Sequence, residues 1–304
     1  MRANSLSPPT ACTSGASLRI ERLIASQLGA GIAALRSCAQ AMQDPATRRD
    51  PEIIHQARVA VRGMRAALRV FDAQLRRSEA QTCLRRARKA LRRIGRALGE
   101  ARDWDVVQGS LLPAQRAGLA RAVGDAALLR VVRRAQLARA RANTTARRFV
   151  AGDEFEAALE RVDALQRVLV HPGAAGNAAA VRRALARQNA AVLRLGARLA
   201  LLGRRGRHTL RIEVKRLRYA VELCAPLFAG RGRKQWMNEI KGLQAVLGTI
   251  IDARVLADRV GPLGDDPALA QHLKAIARHC VREQLPQAAA LFMAWRLARP
   301  PWKT

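Results

Sequence analysis

Apolar residues recur at spacings of three and four along almost the whole chain, which is the pattern of amphipathic helices. The spacing predicts helices over about 18–42, 53–75, 82–98, 114–148, 155–169, 178–202, 208–228, 234–247 and 268–297. Alternation of β-branched and polar residues is almost absent, so no sheet is expected. Proline and glycine fall between the apolar segments, at 45, 51, 113, 171–173, 203–206 and 261–262. The sequence therefore predicts an all-α fold of long antiparallel helices.

The chain repeats itself once. Residues 55–71 (HQARVAVRGMRAALRVF) align with residues 208–224 (HTLRIEVKRLRYAVELC) at an offset of 153, which is 208 minus 55. Downstream, residues 94–107 resemble residues 243–256, and both keep a Leu-Gly pair with an aspartate four residues after the glycine, Asp103 and Asp252. The repeated order predicts an internal duplication, with two similar helical halves joined near residues 171–173 as a closed pseudo-twofold pair.

The repeated segments place basic residues on one face of each helix. At 100° per residue, the first row falls within about 80° on one face. It consists of His55, Arg58, Arg62, Arg65 and Arg69, and the second row consists of His208, Arg211, Lys215 and Arg218. Apolar residues lie on the neighbouring face of each helix and are expected to pack into the core.

The rows carry almost no acidic residue to balance them. Like charges at spacings of three and four repel each other. The first row contains no carboxylate, and the second has only Glu222, at the position of Arg69 in the first. A single charge run is usually a solvated face, but here the pattern occurs twice at the same helical phase. The rows therefore favour a ligand with closely spaced negative charges.

The composition agrees with a polyanionic ligand without identifying it. The chain has 55 Lys and Arg against 23 Asp and Glu, a net charge of +32, and only six of the basic residues are lysine. A GC-rich genome enriches arginine and alanine together, so part of this excess needs no functional explanation. Arginine nevertheless matches phosphate oxygens two at a time. Aromatic residues make up only 3% of the chain, which argues against a protein that stacks single-stranded bases.

The histidine that opens each row is predicted to lie in the first turn of its helix. Asp50 and Pro51 resemble an N-cap and a first helical residue before His55, and Gly206 is interpreted as the end of the loop before His208. Helix N-termini attract anions. Both histidines are therefore predicted to donate a hydrogen bond to an anion, more strongly when protonated. A purely structural role is the alternative.

The doubled motif H-x-x-R-[VI]-x-x-[RK]-x-x-R, with the Leu-Gly…Asp elements, resembles the CHAD family, the conserved-histidine α-helical domain. The resemblance implies two antiparallel four-helix bundles related by pseudo-twofold symmetry, with a basic channel between them that binds inorganic polyphosphate. It also implies association with polyphosphate granules. The implied ligand contacts are His55, Arg58, Arg62, Arg65 and Arg69 in one half, His208, Arg211, Lys215, Arg216 and Arg218 in the other, and Arg92 with its counterpart Lys241. The chain departs from the family at Gly63, where an arginine often follows the basic position.

The resemblance extends over about residues 17–297, with halves of about 17–150 and 174–297. Residues 1–16 are predicted to be a disordered tail, and residues 298–304 a C-terminal tail. No apolar run is long enough for a membrane span, and the N-terminal residues lack the apolar region of a signal peptide. We therefore expect a cytoplasmic protein at polyphosphate granules, with granule-associated proteins as further partners and no membrane contact.

No enzymatic motif is found. Family members are often fused to a triphosphate-tunnel hydrolase domain, whose ExExK strand is absent, as is a phosphate-binding GxxxxGK[ST] loop. Asp103, Asp105 and Asp252 are the candidate carboxylates. Asp103 and Asp252 are interpreted as lying at the end of a helix–glycine segment, where they are expected to bond the turn or an arginine, so no metal and no cofactor is predicted. The expected function is non-catalytic binding. The alternatives are a nucleic-acid-binding, nucleoid-associated protein and a cryptic phosphohydrolase.

Overall fold

The computed structural model describes residues 20–75, 80–110, 113–170, 178–228 and 232–303. Within these ranges the chain forms α-helices joined by short turns and three 3₁₀ turns, with no β-strand, so the all-α prediction is confirmed. The helices are α1 (Ile20–Gln43), α2 (Pro51–Val70), α3 (Asp72–Leu75), α4 (Gln81–Ala97), α5 (Gly99–Ser110), α6 (Pro113–Val123), α7 (Asp125–Val150), α8 (Asp153–Val170), α9 (Ala178–Gly196), α10 (Arg204–Leu223), α11 (Gly232–Val260) and α12 (Pro267–Leu297). The tail predicted for residues 1–16 lies outside the described residues.

Several predicted helix boundaries are wrong, and two of the differences involve glycine. The single helix predicted over 114–148 is broken at Gly124, whose φ of 82° lies in the left-handed region that favours glycine. The helix predicted to end at 247 continues as α11 to Val260, because Gly248 lies inside the helix instead of ending it. The corresponding stretch after Leu98 is also helical, as α5, although no helix was predicted there.

Four helices pack around a first core. α1 packs on α2 and α8, and α4 packs on the same two helices, which closes a ring. Leu28, Met64, Leu91 and Leu159 supply fully buried side chains to this core, one from each helix. The ring includes α8, which lies between the two predicted halves in sequence.

The second core is built by α9, α10, α11 and α12. α10 packs on α9 and α11, and α12 packs on the same two helices. A Cβ on Gly196 would come within 2.0 Å of the Phe292 ring, so only glycine lets α9 approach α12 this closely. Residues 298–303, predicted to be a tail, continue this core. Trp302 is buried there, with its ring centroid 5.3 Å from that of Trp236.

Two kinds of contact join the cores. α5 packs on α2, α7 and α11, and α6 packs on α7 and α12. In addition, α2 packs directly on α10. These are the two helices that carry the basic rows, so the fold brings the rows together. The pseudo-twofold duplication of the two halves stays a prediction.

Candidate functional site

Each row is carried by a helix with a well-defined start. The Asp50 side chain accepts a hydrogen bond from the Glu52 backbone N–H, and Pro51 is the first residue of α2, as predicted. α10 begins earlier than predicted, at Arg204, with Gly203 as its N-cap. His55 and His208 are therefore both the fifth residue of their helix. The prediction that they lie in the first turn is wrong, because the unpaired N–H groups belong to the first four residues.

The two rows meet where α2 packs on α10. Arg62 Nε donates to the Tyr219 hydroxyl at 3.5 Å, a contact between residues 157 positions apart. Arg62 is also close enough to Lys215 to lower the pKa of its amine. Likewise, Arg216 lowers the pKa of the Arg65 guanidinium. We call this set the basic cluster. It comprises His55, Arg58, Arg62, Arg65, His208, Arg211, Lys215, Arg216 and Arg218, with Arg92, Arg96 and Arg102 at its edge.

Both Leu-Gly elements make room for an arginine of the cluster. Arg58 Nη1 donates to the Gly95 carbonyl at 2.9 Å, and a Cβ on Gly99 would lie 3.2 Å from that nitrogen. In the other half, a Cβ on Gly248 would lie 3.2 Å from Arg211 Nη2. Burial is the largest cause that lowers the pKa of both guanidinium groups. The repeated glycine is therefore explained by the space that a half-buried arginine needs, and not by a helix end.

The repeated aspartates lie inside helices, α5 and α11, so the prediction that they stand at a helix end is wrong. Their predicted contact with an arginine is seen. Asp103 Oδ2 accepts from Arg259 Nη2 at 2.9 Å, and Asp252 Oδ1 lies 3.5 Å from Arg211 Nη2. Asp103 also raises the pKa of Arg58, against the effect of burial.

Asp105 is the third carboxylate singled out in the sequence. Its side chain is 1% exposed, and Oδ1 accepts from Arg139 Nε at 2.7 Å. Burial raises its pKa, and the bond to Arg139 opposes that shift. Its partner belongs to α7, so Asp105 joins α5 to α7 and takes no part in the basic cluster.

The surroundings of both histidines lower their pKa and so disfavour the charged imidazole. Burial is the largest cause that lowers the pKa of His55, followed by Arg102, while Glu52 opposes the shift. Its Nδ1 is buried and has no hydrogen-bond partner among the described residues. Burial, then Arg211 and Lys215, lower the pKa of His208, which is more exposed.

Lys215 has the most perturbed charge in the cluster. Burial, then Arg211 and Arg62, lower the pKa of its amine to about 7 from the ordinary value of 10.5. Asp252 opposes this shift, but that carboxylate is closer to Arg211, with which it forms an ion pair. Lys215 therefore loses half of its charge at a pH where an ordinary lysine is fully protonated.

The second row is partly neutralised by its own helix. Arg218 Nη1 lies 2.6 Å from Glu222 Oε1, and its guanidinium also covers the Tyr219 ring at 4.1 Å. Arg216 pairs with Glu213. The first row has no such partner in the described part of the chain.

Two of the predicted contacts stand apart from the cluster. Arg69 and Lys241 are exposed, and neither is among the charges that shift the pKa of the other cluster members. Arg92, by contrast, lowers the pKa of Arg65, as does Arg96 one turn later on α4. Arg96 and Arg102 were missed by sequence reasoning because Ala245 and Ile251 stand at their positions in the repeat. Arg96 could have been found from its spacing of four residues from Arg92, which places both on one face of α4.

The described residues form neither a membrane span nor a metal site. None of the described helices combines the length and apolar character needed to cross a membrane. No group of three His, Cys, Asp or Glu side chains is arranged to hold a metal ion within the ranges that the structure describes.

The helical fold and the paired basic rows define a class of all-α proteins with a cationic site where two helices pack together. The CHAD domain family model matches residues 32–261, and the chain belongs to this family. The crystal structure of the CHAD domain from the plant Ricinus communis is similar in fold, with a TM-score of 0.74 and 21% identity, covering 98% of this chain and 99% of that chain. PptA from Streptomyces chartreusis has a TM-score of 0.67 and 18% identity, covering 92% of this chain and 99% of that chain. No curated protein matches the chain.

Proposed function

We propose that the chain binds inorganic polyphosphate at the basic cluster without catalysing a reaction on it. The observation that carries this proposal is the packing of α2 on α10, which joins two basic rows into one cluster. In the described part of the chain, Arg58, Arg62 and Arg65 have no carboxylate ion-pair partner to neutralise them. A bound anion would supply the negative charge that a carboxylate partner otherwise provides.

The chemistry of the cluster suits a thin, densely charged chain. Guanidinium groups bind phosphate oxygens in pairs and stay charged at any physiological pH. Polyphosphate carries about one negative charge per phosphate on a flexible chain, so one ligand can reach both rows. In this proposal the two helical rings are the two bundles of a duplicated domain, and the ligand runs between them.

A non-catalytic role is supported by the state of the carboxylates. Asp103, Asp105 and Asp252 each face an arginine. A metal-dependent phosphohydrolase needs several carboxylates that converge on a metal ion. We further propose that the protein associates with polyphosphate granules and with proteins found there.

Binding to size-fractionated polyphosphate and to DNA of matched total charge, at physiological salt, tests the proposal. The double variant Arg58→Ala/Arg211→Ala should lose at least about tenfold in polyphosphate affinity, since each residue is expected to contribute a charge-assisted contact. Arg161→Ala/Arg183→Ala, which removes two exposed arginines outside the cluster, is the matched control and should bind like the parent protein. Circular dichroism verifies that each variant is folded.

Equal affinity for the two polymers, or an unchanged cluster variant, would overturn the proposal, and a preference for DNA would favour a nucleic-acid-binding protein. Orthophosphate released from polyphosphate in the presence of Mg²⁺ would overturn its non-catalytic part.

A further inference from the structure

Lys215 lies at the centre of the basic cluster. On α10 it stands one helical turn from both Arg211 and Arg218, and Arg62 and His55 approach it from α2. The facing carboxylate is Asp252 on α11, which is paired with Arg211. Within the described residues, no oxygen accepts a hydrogen bond from the Lys215 amine. The Lys215 side chain is thus half-buried, and its amine is surrounded mainly by positive charge.

The two histidines are in a similar environment. His55 is faced by Arg102 from α5, Lys215 from α10, and Arg62 and Glu52 from its own helix. His208 is faced by Arg204, Arg211 and Lys215 of α10. The neighbouring guanidinium groups cannot give up their charge. Repulsion within the cluster is therefore relieved by loss of a proton from the groups that can release one, the Lys215 amine and the two imidazoles.

A bound polyanion reverses this balance. Negative oxygens within hydrogen-bond reach of the amine favour its charged form, because an opposite charge close by raises the pKa of a base. The buried Nδ1 of His55, which has no partner in the described residues, could also carry a proton once an anion offsets its cationic neighbours.

We propose that the cluster takes up protons when it binds its polyanionic ligand, with Lys215 as the main acceptor and His55 and His208 contributing at lower pH. This inference rests on the proposed function and adds its regulation. The proton is then a reactant in the binding equilibrium, together with the free protein and the ligand. A fall in pH therefore strengthens binding.

Proton linkage fixes the direction and the size of the change in affinity with pH. At pH 7 the free amine is about half protonated, since its pKa is about 7. Binding therefore takes up about half a proton there and nearly one proton near pH 8. If the bound amine returns to its ordinary range, affinity should fall roughly 25-fold between about pH 6.5 and 8.5.

Isothermal titration calorimetry with a long, size-fractionated polyphosphate measures this uptake directly. Titrations near pH 8 in HEPES and in Tris differ in apparent heat by the number of protons taken up times the difference in buffer ionisation enthalpy. A long chain is needed because terminal phosphates titrate near neutral pH, as phosphate monoesters do.

Lys215→Arg is the decisive variant, since arginine keeps its charge. It should bind at about pH 8.5 at least as tightly as the parent protein does at about pH 6.5, with proton uptake near pH 8 largely abolished. The matched control is Lys274→Arg on exposed Lys274 of α12, which should leave uptake unchanged. Added to Lys215→Arg, His55→Asn/His208→Asn should remove the pH dependence that remains at lower pH.

The outcomes separate the two proposals. No polyphosphate binding at any pH would overturn the proposed function. Tight binding whose heat is the same in both buffers, with a flat pH profile, would overturn this inference alone. If arginine does not fit at position 215, Lys215→Met provides a second test, because it removes the titratable amine. It should bind more weakly than the parent near pH 6, and this loss should become much smaller towards pH 9, where the parent must first take up the proton. A loss of the same size at both pH values would contradict proton uptake by Lys215.

Discussion

The two basic rows have the same spacing on their helices but different electrostatic surroundings. In the first, Arg58 donates to the Gly95 carbonyl, and Arg62 and Arg65 have no ion pair with a carboxylate among the described residues. In the second, Arg211 and Arg218 each face a carboxylate, Asp252 and Glu222. A repeated sequence thus preserves where charges lie without preserving how far they are neutralised. We therefore expect the first row to contribute more of the electrostatic attraction for a polyanion.

The difference at Gly63 has a packing cause. This glycine stands where Arg216 stands in the second half, and it is buried in the first core. A Cβ there would already lie 3.3 Å from Gln27 Nε2 of α1. An arginine at this position would have to displace Gln27, so the first half gives up one basic residue to the contact between α1 and α2.

Neutralising one row at a time is expected to have the largest effect. Arg58→Gln/Arg62→Gln/Arg65→Gln should weaken polyphosphate binding more than Arg211→Gln/Lys215→Gln/Arg218→Gln, because its arginines lack carboxylate partners. Each lost phosphate contact lowers the dependence of log affinity on log salt by about one. The first variant should therefore reduce that slope by about three, and the second by less, in a salt titration followed by fluorescence anisotropy. Equal slopes would contradict the difference between the rows.

Filling the glycine beside each row arginine should have an intermediate effect of equal size in the two halves. Gly99→Leu and Gly248→Leu should each reduce affinity several-fold, because the new side chain needs space that Arg58 or Arg211 occupies. Helix propensity alone would make leucine favourable over glycine by up to about 1 kcal/mol. Thermal unfolding followed alongside binding separates the two effects. Gly109→Leu is the control, since a Cβ there meets nothing within 4 Å. Loss of affinity in the control would show that added bulk on any helix is sufficient.

Removing a neutralising carboxylate should have the smallest effect, and of opposite sign. Glu222→Gln frees Arg218 from its partner, so affinity for polyphosphate should rise about two- to threefold at low salt, and the gain should shrink as salt screens it. The cost in stability should stay below about 0.5 kcal/mol, the usual range for an i,i+4 ion pair. Glu160→Gln, on the exposed face of α8, controls for the change in net charge. A gain of the same size in that control would mean that total charge, and not the freed arginine, sets the affinity.

Features with a repeated, periodic signal could be predicted from the sequence. α2, α10 and their rows depend on spacing along one helix, and the repeated Leu-Gly element drew attention to Asp103 and Asp252, which contact arginines of other helices. What was missed depends on neighbours from other helices. Gly248 is tolerated inside α11 because Arg211 needs the space beside it.

The missed members of the cluster show the same limit. Arg96 and Arg102 have no counterpart in the second half, so comparison of the repeats did not find them. Their place in the cluster results from the packing of α4 and α5 on α2. Likewise, Arg69 belongs to the periodic row and Lys241 is the repeat counterpart of Arg92, but both are exposed and neither shifts the pKa of another cluster member. Periodicity assigns a residue to a face of its helix, and tertiary packing decides what that face meets.

The contact between α2 and α10 has a consequence for the protein without ligand. It holds two cationic helices side by side against their mutual repulsion, so part of the favourable energy of the apolar cores is offset at the place where the cores are joined. A polyanion in the cluster removes that opposition, and if it binds the folded state more tightly than the unfolded chain, it raises the free energy of unfolding by mass action. The ligand would then act as a structural part of the molecule, and the amount of folded protein in a cell would follow the supply of the polymer that it binds.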